Sequence, residues 1–509
     1  MSTTHNIHDA SNSDEETRKI IRNVICDDKL EYHHKRSQLC TVAENILLPI
    51  STNDEVICTL FEGNAPYRPR YILPDYQKFL ATGSEYLNLP PADDIVSAIN
   101  HLLIIYKFVP SITSHPVYLG NVDTLLDQYD SVEKISELEL RRNLRWFLIQ
   151  IDRTLPNAFV HMNLGPLPTR VGRVILELER ELRHAVPNLT LKVDFEITNE
   201  DFLLEAIKTA LVTNKPYFAN HQMLKKIYKS DAYGVASCYN TLPIGGGAHT
   251  LVRINLKLLA QRACDLSDFM NNLLPSTVTA LAEIISARIR FLVEESHFFQ
   301  TSFLIREKLI ELEKFTAMAG IFGLYEATEI LSAGKILGKD QEALLLAEAI
   351  LVKINKLLRT AVPLTPYCAI TDGVLGLHAQ SGIDNDKEVT PGVRIKSGAE
   401  LSLGAQIRTA CKLHSHFVTG VSDIYTFEPT AANNLPAMLT IITGALRCGM
   451  AIMSIGSSDS PLVRISGYLV KKSDLEKADK SSLREESVEL GARFIDNYPV
   501  SKRKKWSER

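Results

Sequence analysis

No two of the eight cysteines in this 509-residue chain form a Cys-x-x-Cys pair. That absence excludes a zinc ribbon of paired thiolates and a dithiol redox motif. Irregular spacing in so long a chain also argues against a disulfide framework, so reduced thiols in a cytosol are expected. Long apolar runs are missing too. The longest, Ala437–Gly456, carries Arg447 and three glycines, and it reads as a buried helix followed by a strand rather than a membrane span. Residues 1–20 are polar and without apolar period, so a flexible tail is expected there. They lack the basic start and apolar middle of a secretory signal. A net charge of −4 gives no reason to expect nucleic acid as a partner. The cluster Lys502-Arg503-Lys504-Lys505 reads as a solvated tail, and no internal repeat is evident.

What is present is a chain with 45% apolar residues, enough to bury a large core. Short apolar runs suit strands at Leu189–Phe195, Val235–Cys238, Val252–Ile254 and Phe417–Ile424. Long helical patterns occupy Ser302–Leu331 and Gln341–Leu358. This alternation is α/β in character. Three parts are expected: the tail over 1–20, a helical and α/β catalytic body over 21–455, and a carboxyl-terminal segment over 456–509.

One run in that last segment stands out, Leu462-Val463-Arg464-Ile465-Ser466-Gly467-Tyr468-Leu469-Val470. Glycine inside an apolar, strand-like run loses much chain entropy and packs nothing. A bulge or a close backbone approach is one explanation. The other is chemical: a glycine α-carbon that loses a hydrogen becomes a planar radical, stabilised between amide nitrogen and carbonyl. A side chain would crowd that centre. The order Arg464, small Ser466, Gly467, Tyr468 resembles the signature of the glycyl radical enzyme superfamily, with Leu462 standing where that family usually has a smaller or β-branched residue.

The resemblance implies a cysteine far upstream, whose thiol is oxidised by the glycyl radical and whose thiyl then takes hydrogen from substrate. Cys238 has the context for it. It follows the strand candidate Gly234–Ser237 and precedes Tyr239-Asn240-Thr241-Leu242-Pro243 and the run Gly245-Gly246-Gly247, which places it at a loop tip. An inert core thiol is the plain alternative. Flanking segments resemble the family as well: Pro187–Lys192 a barrel strand, Leu251–Leu256 the segment after the cysteine loop of anaerobic ribonucleotide reductases, and Phe315–Leu324 a shared helix. The whole chain resembles the short YjjI group most closely, with similarity to anaerobic ribonucleotide reductase and pyruvate formate-lyase. The fold so implied is a ten-stranded α/β barrel surrounded by helices, the cysteine and glycine loops meeting inside.

Departures narrow the chemistry. Dehydratases of the superfamily place a glutamate two residues after the cysteine; here stands Asn240, which hydrogen-bonds but does not accept a proton at neutral pH. Pyruvate formate-lyase uses adjacent cysteines, whereas Cys238 lies between Ser237 and Tyr239. Tyr239 and Asn240 are candidates to contact substrate, with packing the alternative for Tyr239. His249 is a candidate general acid or base, or a hydrogen-bonded loop residue. The triple glycine could offer amides to a phosphate, but no Lys-Ser/Thr follows and a plain turn suits it better. His414 and His416 alternate, as if on one strand face, and with Asp423 and Glu428 suit a polar cavity wall better than a metal site. Cys368 is a second thiol to consider.

The resulting expectation is a glycyl radical enzyme cleaving a C–O or C–C bond of a small polar metabolite, of lyase or dehydratase type. A ribonucleotide reductase relative without zinc or regulatory cap, and a non-catalytic metabolite-binding barrel, are the alternatives. Gly467 would hold the radical and Cys238 the thiyl, with Arg464, Ser466 and Tyr468 supporting the loop. No metal or organic cofactor is called for. The resemblance implies an activating radical S-adenosylmethionine enzyme as partner, and it leaves room for a homodimer.

Overall fold

The computed structural model describes residues 7–30, 55–59, 67–110, 117–132, 135–155, 158–360, 373–380, 388–478 and 500–507, with positions 35, 38, 39, 42, 43, 367, 368 and 495 between them. Sixteen strands are found among them. In chain order, β1 is Ile57–Thr59, β2 Tyr71–Leu73, β3 Tyr118–Asn121, β4 His161–Leu164, β5 Asn188–Val193, β6 Tyr217–Asn220, β7 Tyr233–Ala236 and β8 Asn240–Pro243. They continue as β9 Gly246–Asn255, β10 Phe315–Phe322, β11 Gly376–Ala379, β12 Asp423–Phe427, β13 Ile452–Ser457, β14 Leu462–Arg464, β15 Leu469–Lys471 and β16 Lys505–Trp506.

Two sheets carry the body. One runs β16-β12-β13-β6-β5-β4-β3; the other runs β1-β9-β10-β11, with β2 also on β9. Neighbours β3 to β6 are parallel, as are β9 to β11, while β6 meets β13 antiparallel. Parallel strands need covered faces, so they read as unbroken apolar runs, and every residue of β5, β9 and β10 is buried. The covering helices start where the sequence supplies caps. Thr169 caps Arg170–Leu182 through the Gly172 amide, and Asn199 caps Glu200–Thr213 through the Phe202 amide. A capping box of Ser136 and Glu139 opens Glu137–Thr154.

Two hairpins stand apart from these sheets. One pairs β7 with β8 and the other β14 with β15. The first packs between the sheets: Thr241 N donates to Thr419 O, and Ala379 N donates to Gly420 O, so the 418–420 segment joins β8 to β11.

Several expectations need correction. The helical pattern Ser302–Leu331 is broken into short turns, then β10, then a helix over Leu324–Leu331. The segment matched to a shared helix, Phe315–Leu324, is therefore mostly the central strand β10. Its residues are apolar on every side, which suits a strand buried on both faces better than an amphipathic helix. Gly323, at φ +77°, supplies the left-handed turn into the following helix. Phe417–Ile424 is mainly a loop, and β12 begins at Asp423. Gly420 ends any ladder there: φ is +126°, and a β-carbon would sit 2.3 Å from Tyr239 O. A helix spans Ile7–Cys26 where a tail was expected; its described side chains, from Asp14 onward, are exposed or half-buried. The basic end is docked rather than merely solvated, because β16 pairs with β12. Gln341–Thr360 and the helix–strand pair Leu435–Arg447 and β13 fall where the pattern placed them. A helix is described over Lys472–Ala478; residues 479–494 lie outside the described residues. No helix among the described residues is long and apolar enough to cross a membrane.

Candidate active site

Cys238 sits in the turn between β7 and β8, directly after Ser237 at φ +57°. A non-glycine residue in this left-handed region needs surroundings that hold it. Here side chains do what a neighbouring strand would. Asn163 on β4 pairs with Val235 in both directions, donating from Nδ2 to the carbonyl and accepting the amide, each at 2.8 Å. Lys192 on β5 donates to Tyr233 O at 2.7 Å. His161 bonds Ser237 O through Nδ1 at 2.7 Å and Thr190 Oγ1 through Nε2 at 2.7 Å. A carbonyl only accepts, so Nδ1 carries the proton and Nε2 accepts from the threonine hydroxyl.

Burial holds His161 neutral by lowering its pKa to about 3, opposed by its bond to Ser237 and helped by the charges of Arg464 and Lys215. The unfolded value is about 6.5, so between these limits the unfolded chain binds the extra proton. The stabilisation is complete above about pH 6.5 and is lost as pH falls toward 3, at about 1.4 kcal/mol per pH unit. Asp123 works the other way: burial raises it to about 7, so it gains stability as pH falls below that value. The difference between wild type and His161→Gln isolates the histidine. Urea unfolding at pH 7 and pH 5.5 is expected to show a shallower acid loss in the variant, and equal slopes would rule the titration out.

Gly467 lies in the turn joining β14 to β15, closed by Ile465 N donating to Tyr468 O at 3.0 Å. It is not among the described glycines with positive φ, so its backbone does not require glycine. Space does. A β-carbon built on Gly467 lies 2.2 Å from Cys238 Cβ and 2.8 Å from Cys238 Sγ, far inside contact distance. The two residues singled out from the sequence, 229 positions apart, are thus in direct contact, with bare α-carbon facing thiol. Cys238 is buried.

The glycine turn is fastened from several directions. Gly467 O accepts from Tyr217 Oη at 2.6 Å and from Asn188 Nδ2 at 2.8 Å. Arg464 is buried with its guanidinium carbon 4.1 Å from the Tyr217 ring centre and donates to Asn214 O. Arg503, from the expected solvated cluster, donates to both Arg464 O and Ile465 O. Ser466 is fully buried, and the Tyr468 ring packs against Phe159 at 4.7 Å. A cavity of about 350 Å³ lies against this hairpin, lined by Leu462, Val463, Arg464, Lys472, Arg503 and Lys505 among others. Cys238 is not on its wall.

The other candidates disperse. Tyr239 donates its hydroxyl to Ala379 O at 2.6 Å, and its ring stacks on His378 at 5.8 Å with the Arg394 guanidinium 5.5 Å away. Asn240 turns back to Ala236 O. His249 lies within β9, not in a loop; it donates from Nε2 to Tyr367 O at 2.7 Å and packs against Phe299 and Phe315. Its neighbours Gly246 and Gly247 serve close approach, since β-carbons there would meet Lys314 O and Tyr71 O. His414 and His416 do not alternate on a strand. His414 ends the helix Leu403–His414 and accepts the Ala451 amide at 3.2 Å, while His416 follows in the turn and is half-buried. Burial lowers both; His414 falls to about 3. Among the described residues, no three His, Cys, Asp or Glu side chains are grouped as a metal ion would need. Cys368 is buried, its thiol pushed up to about 12 by burial.

Residues that the sequence did not announce surround the cysteine loop. His378 Nδ1 bonds Thr419 O at 3.1 Å, so by the same donor rule its Nε2 is the proton-accepting nitrogen. Arg394 donates to Ser422 O and Oγ and lowers the carboxyl of buried Asp423 against the larger effect of burial, which raises it. The only signal for these groups was polarity inside buried segments.

With this geometry established, comparison with known proteins is direct. The family model described as "Glycyl radical enzyme YjjI-like" matches residues 30–506. The YjjI protein of Escherichia coli (strain K12) is 39% identical over 488 residues, 94% of each chain. Among solved structures, the anaerobic ribonucleotide reductase from Thermotoga maritima in complex with dATP and CTP superposes with a TM-score of 0.67 at 13% identity, covering 91% of this chain and 89% of that one. The hydroxyproline dehydratase from Clostridioides difficile, with trans-4-hydroxy-L-proline bound, gives 0.67 at 11% identity, covering 96% and 88%. At such identities the likeness concerns the fold, the mixed α/β architecture of the glycyl radical enzymes, here built on two main sheets with the cysteine and glycine turns in contact.

Proposed function

The chain belongs to the YjjI-like glycyl radical enzyme family, and from that premise we propose that Gly467 stores an organic radical which Cys238 carries to substrate as a thiyl. One observation supports this above the rest: the Gly467 α-carbon abuts the Cys238 thiol so closely that no side chain fits between them. The step needs no third reactant. A hydrogen atom moves from Cys238 Sγ to the Gly467 α-carbon radical; an S–H bond breaks, a C–H bond forms, and the unpaired electron passes to sulfur. Burial of both residues limits contact with bulk water and the side reactions it brings.

The radical itself comes from outside. In this reading an activating radical S-adenosylmethionine enzyme removes the Gly467 hydrogen, which requires the β14–β15 hairpin to leave its seat. That hairpin is a separate two-stranded ribbon with a cavity against it, and leaving its seat breaks the hydrogen bonds to Gly467 O and from Arg464 and uncovers the buried Ile465, Tyr468 and Val470.

The reaction proposed is lyase or dehydratase cleavage of a C–O or C–C bond in a small polar metabolite. With Asn240 in place of a carboxylate, proton handling falls to groups elsewhere. His378 with its accepting Nε2, and Arg394 beside Tyr239, support a wall that binds and orients a hydroxylated substrate. Electron paramagnetic resonance on anaerobic protein co-expressed with its activating enzyme tests the reading. A doublet from the single remaining α-hydrogen is expected. No doublet, with an activating enzyme proven on its own partner, would overturn it.

A further inference from the structure

We infer that Tyr217 and Asn188 act together as the donors that stabilise the stored radical, by hydrogen-bonding the carbonyl through which its spin is shared; the inference rests on the glycyl radical reading. A glycyl radical is held between an electron-donating amide nitrogen and an electron-withdrawing carbonyl. Any donor placed on that carbonyl oxygen makes it a better acceptor and deepens the delocalisation. Gly467 O receives two donors, Tyr217 Oη at 2.6 Å and Asn188 Nδ2 at 2.8 Å. One carbonyl has two lone pairs, so both acceptor positions are used. Donors preset in a buried site act at little reorganisation cost when charge shifts toward the oxygen.

The placement is built into the sheet. Asn188 and Tyr217 open the adjacent parallel strands β5 and β6. Lys215 ties these starts together: fully buried, it donates from Nζ to Pro187 O at 2.7 Å and pairs with buried Glu179 at 2.7 Å. Burial pushes Glu179 up and Lys215 down, and their mutual attraction offsets both. The Tyr217 phenol cannot readily ionise and lose its donor, because burial raises it, against the opposing charge of Arg464. The Tyr217 ring also lies parallel to His161, which holds Ser237 beside the thiol. Strands β4 to β6 therefore brace both halves of the transfer pair: His161, Asn163 and Lys192 hold the cysteine hairpin, and Asn188 and Tyr217 hold the glycine.

The consequence is directional. Strong donors on Gly467 O weaken the Gly467 C–H bond and favour storage on carbon over the thiyl on sulfur. Tyr217 and Asn188 touch the reacting residue but take no hydrogen themselves.

Tyr217→Phe removes one donor while keeping the ring, and Asn188→Leu removes the other at similar volume. Each variant is activated anaerobically beside the unsubstituted protein and read by high-field paramagnetic resonance. Loss of a hydrogen bond to a spin-bearing carbonyl raises the largest g component, a signature that looser packing alone does not produce. Each variant is expected to show that rise and a stored radical that decays about fivefold faster, the factor for one ordinary hydrogen bond. A doublet with unchanged g values and unchanged decay in both variants overturns the inference and leaves the glycyl reading intact. Absence of the doublet in the unsubstituted protein overturns both. If Tyr217→Phe does not fold, Asn188→Leu decides alone by the same two readings.

Discussion

Gly467→Ala protein, activated anaerobically as the wild type is, is expected to show no glycyl doublet and no turnover. Two independent effects point the same way. The first is steric: the new methyl would lie 2.2 Å from Cys238 Cβ and 2.8 Å from its Sγ, so the hairpin or the cysteine turn must shift. Overpacking of this sort costs about 1–3 kcal/mol, which a lowered urea midpoint would record. The second is electronic, because a substituted α-carbon resists the planar geometry that shares spin between nitrogen and carbonyl. Air exposure separates these effects. Activated wild type is expected to break at the radical site and release a fragment running from Gly467 to Arg509, whereas the variant stays whole. A variant that is destabilised yet still yields a doublet and the fragment would show that glycine serves only for space.

The glycine and the cysteine were legible because each violates its surroundings. Gly467 interrupts an apolar strand pattern, and Cys238 ends a strand at a turn. Their partners were not legible for the opposite reason. Asn188, His161 and Tyr217 sit at strand starts within apolar stretches, where a single polar residue gives no hint of what it bonds. Only the register of β4, β5 and β6 brings them to the two loops. Arg503 was hidden by its neighbours: Lys502, Lys504 and Lys505 are exposed, yet Arg503 holds two carbonyls of the glycine turn. Periodicity failed at β10 because a strand buried on both faces has no polar stripe to count. It failed at His414 and His416 because spacing of two fits any strand but was satisfied here by a helix end and a turn. His249 looked like a loop residue beside three glycines; two of those glycines instead let β9 pass close to Lys314 and Tyr71.

Cys238→Ala is expected to separate storage of the radical from its use. In the proposed reading the activating enzyme acts on Gly467 and not through Cys238, so the variant should still acquire the doublet, and its hairpin contacts through Asn188, Tyr217 and Arg503 are untouched. Turnover of any substrate should fall by about 10⁴-fold or more, as when a group that makes and breaks bonds is removed. A sharper reading needs no substrate. Thiol hydrogens exchange with water, whereas the hydrogen on a peptide α-carbon does not on the same timescale. Reversible transfer between Cys238 and Gly467 would therefore carry deuterium from heavy water to the glycine. In wild type the doublet should collapse toward a single line as deuterium, with its weaker coupling, replaces hydrogen. In Cys238→Ala it should persist. Cys368→Ala provides the contrast: its thiol is buried and held protonated, and exchange there should proceed at the wild-type rate. Collapse in Cys238→Ala would mean another group exchanges with Gly467. Persistence in wild type would mean that contact between α-carbon and sulfur, however close, does not pass the hydrogen.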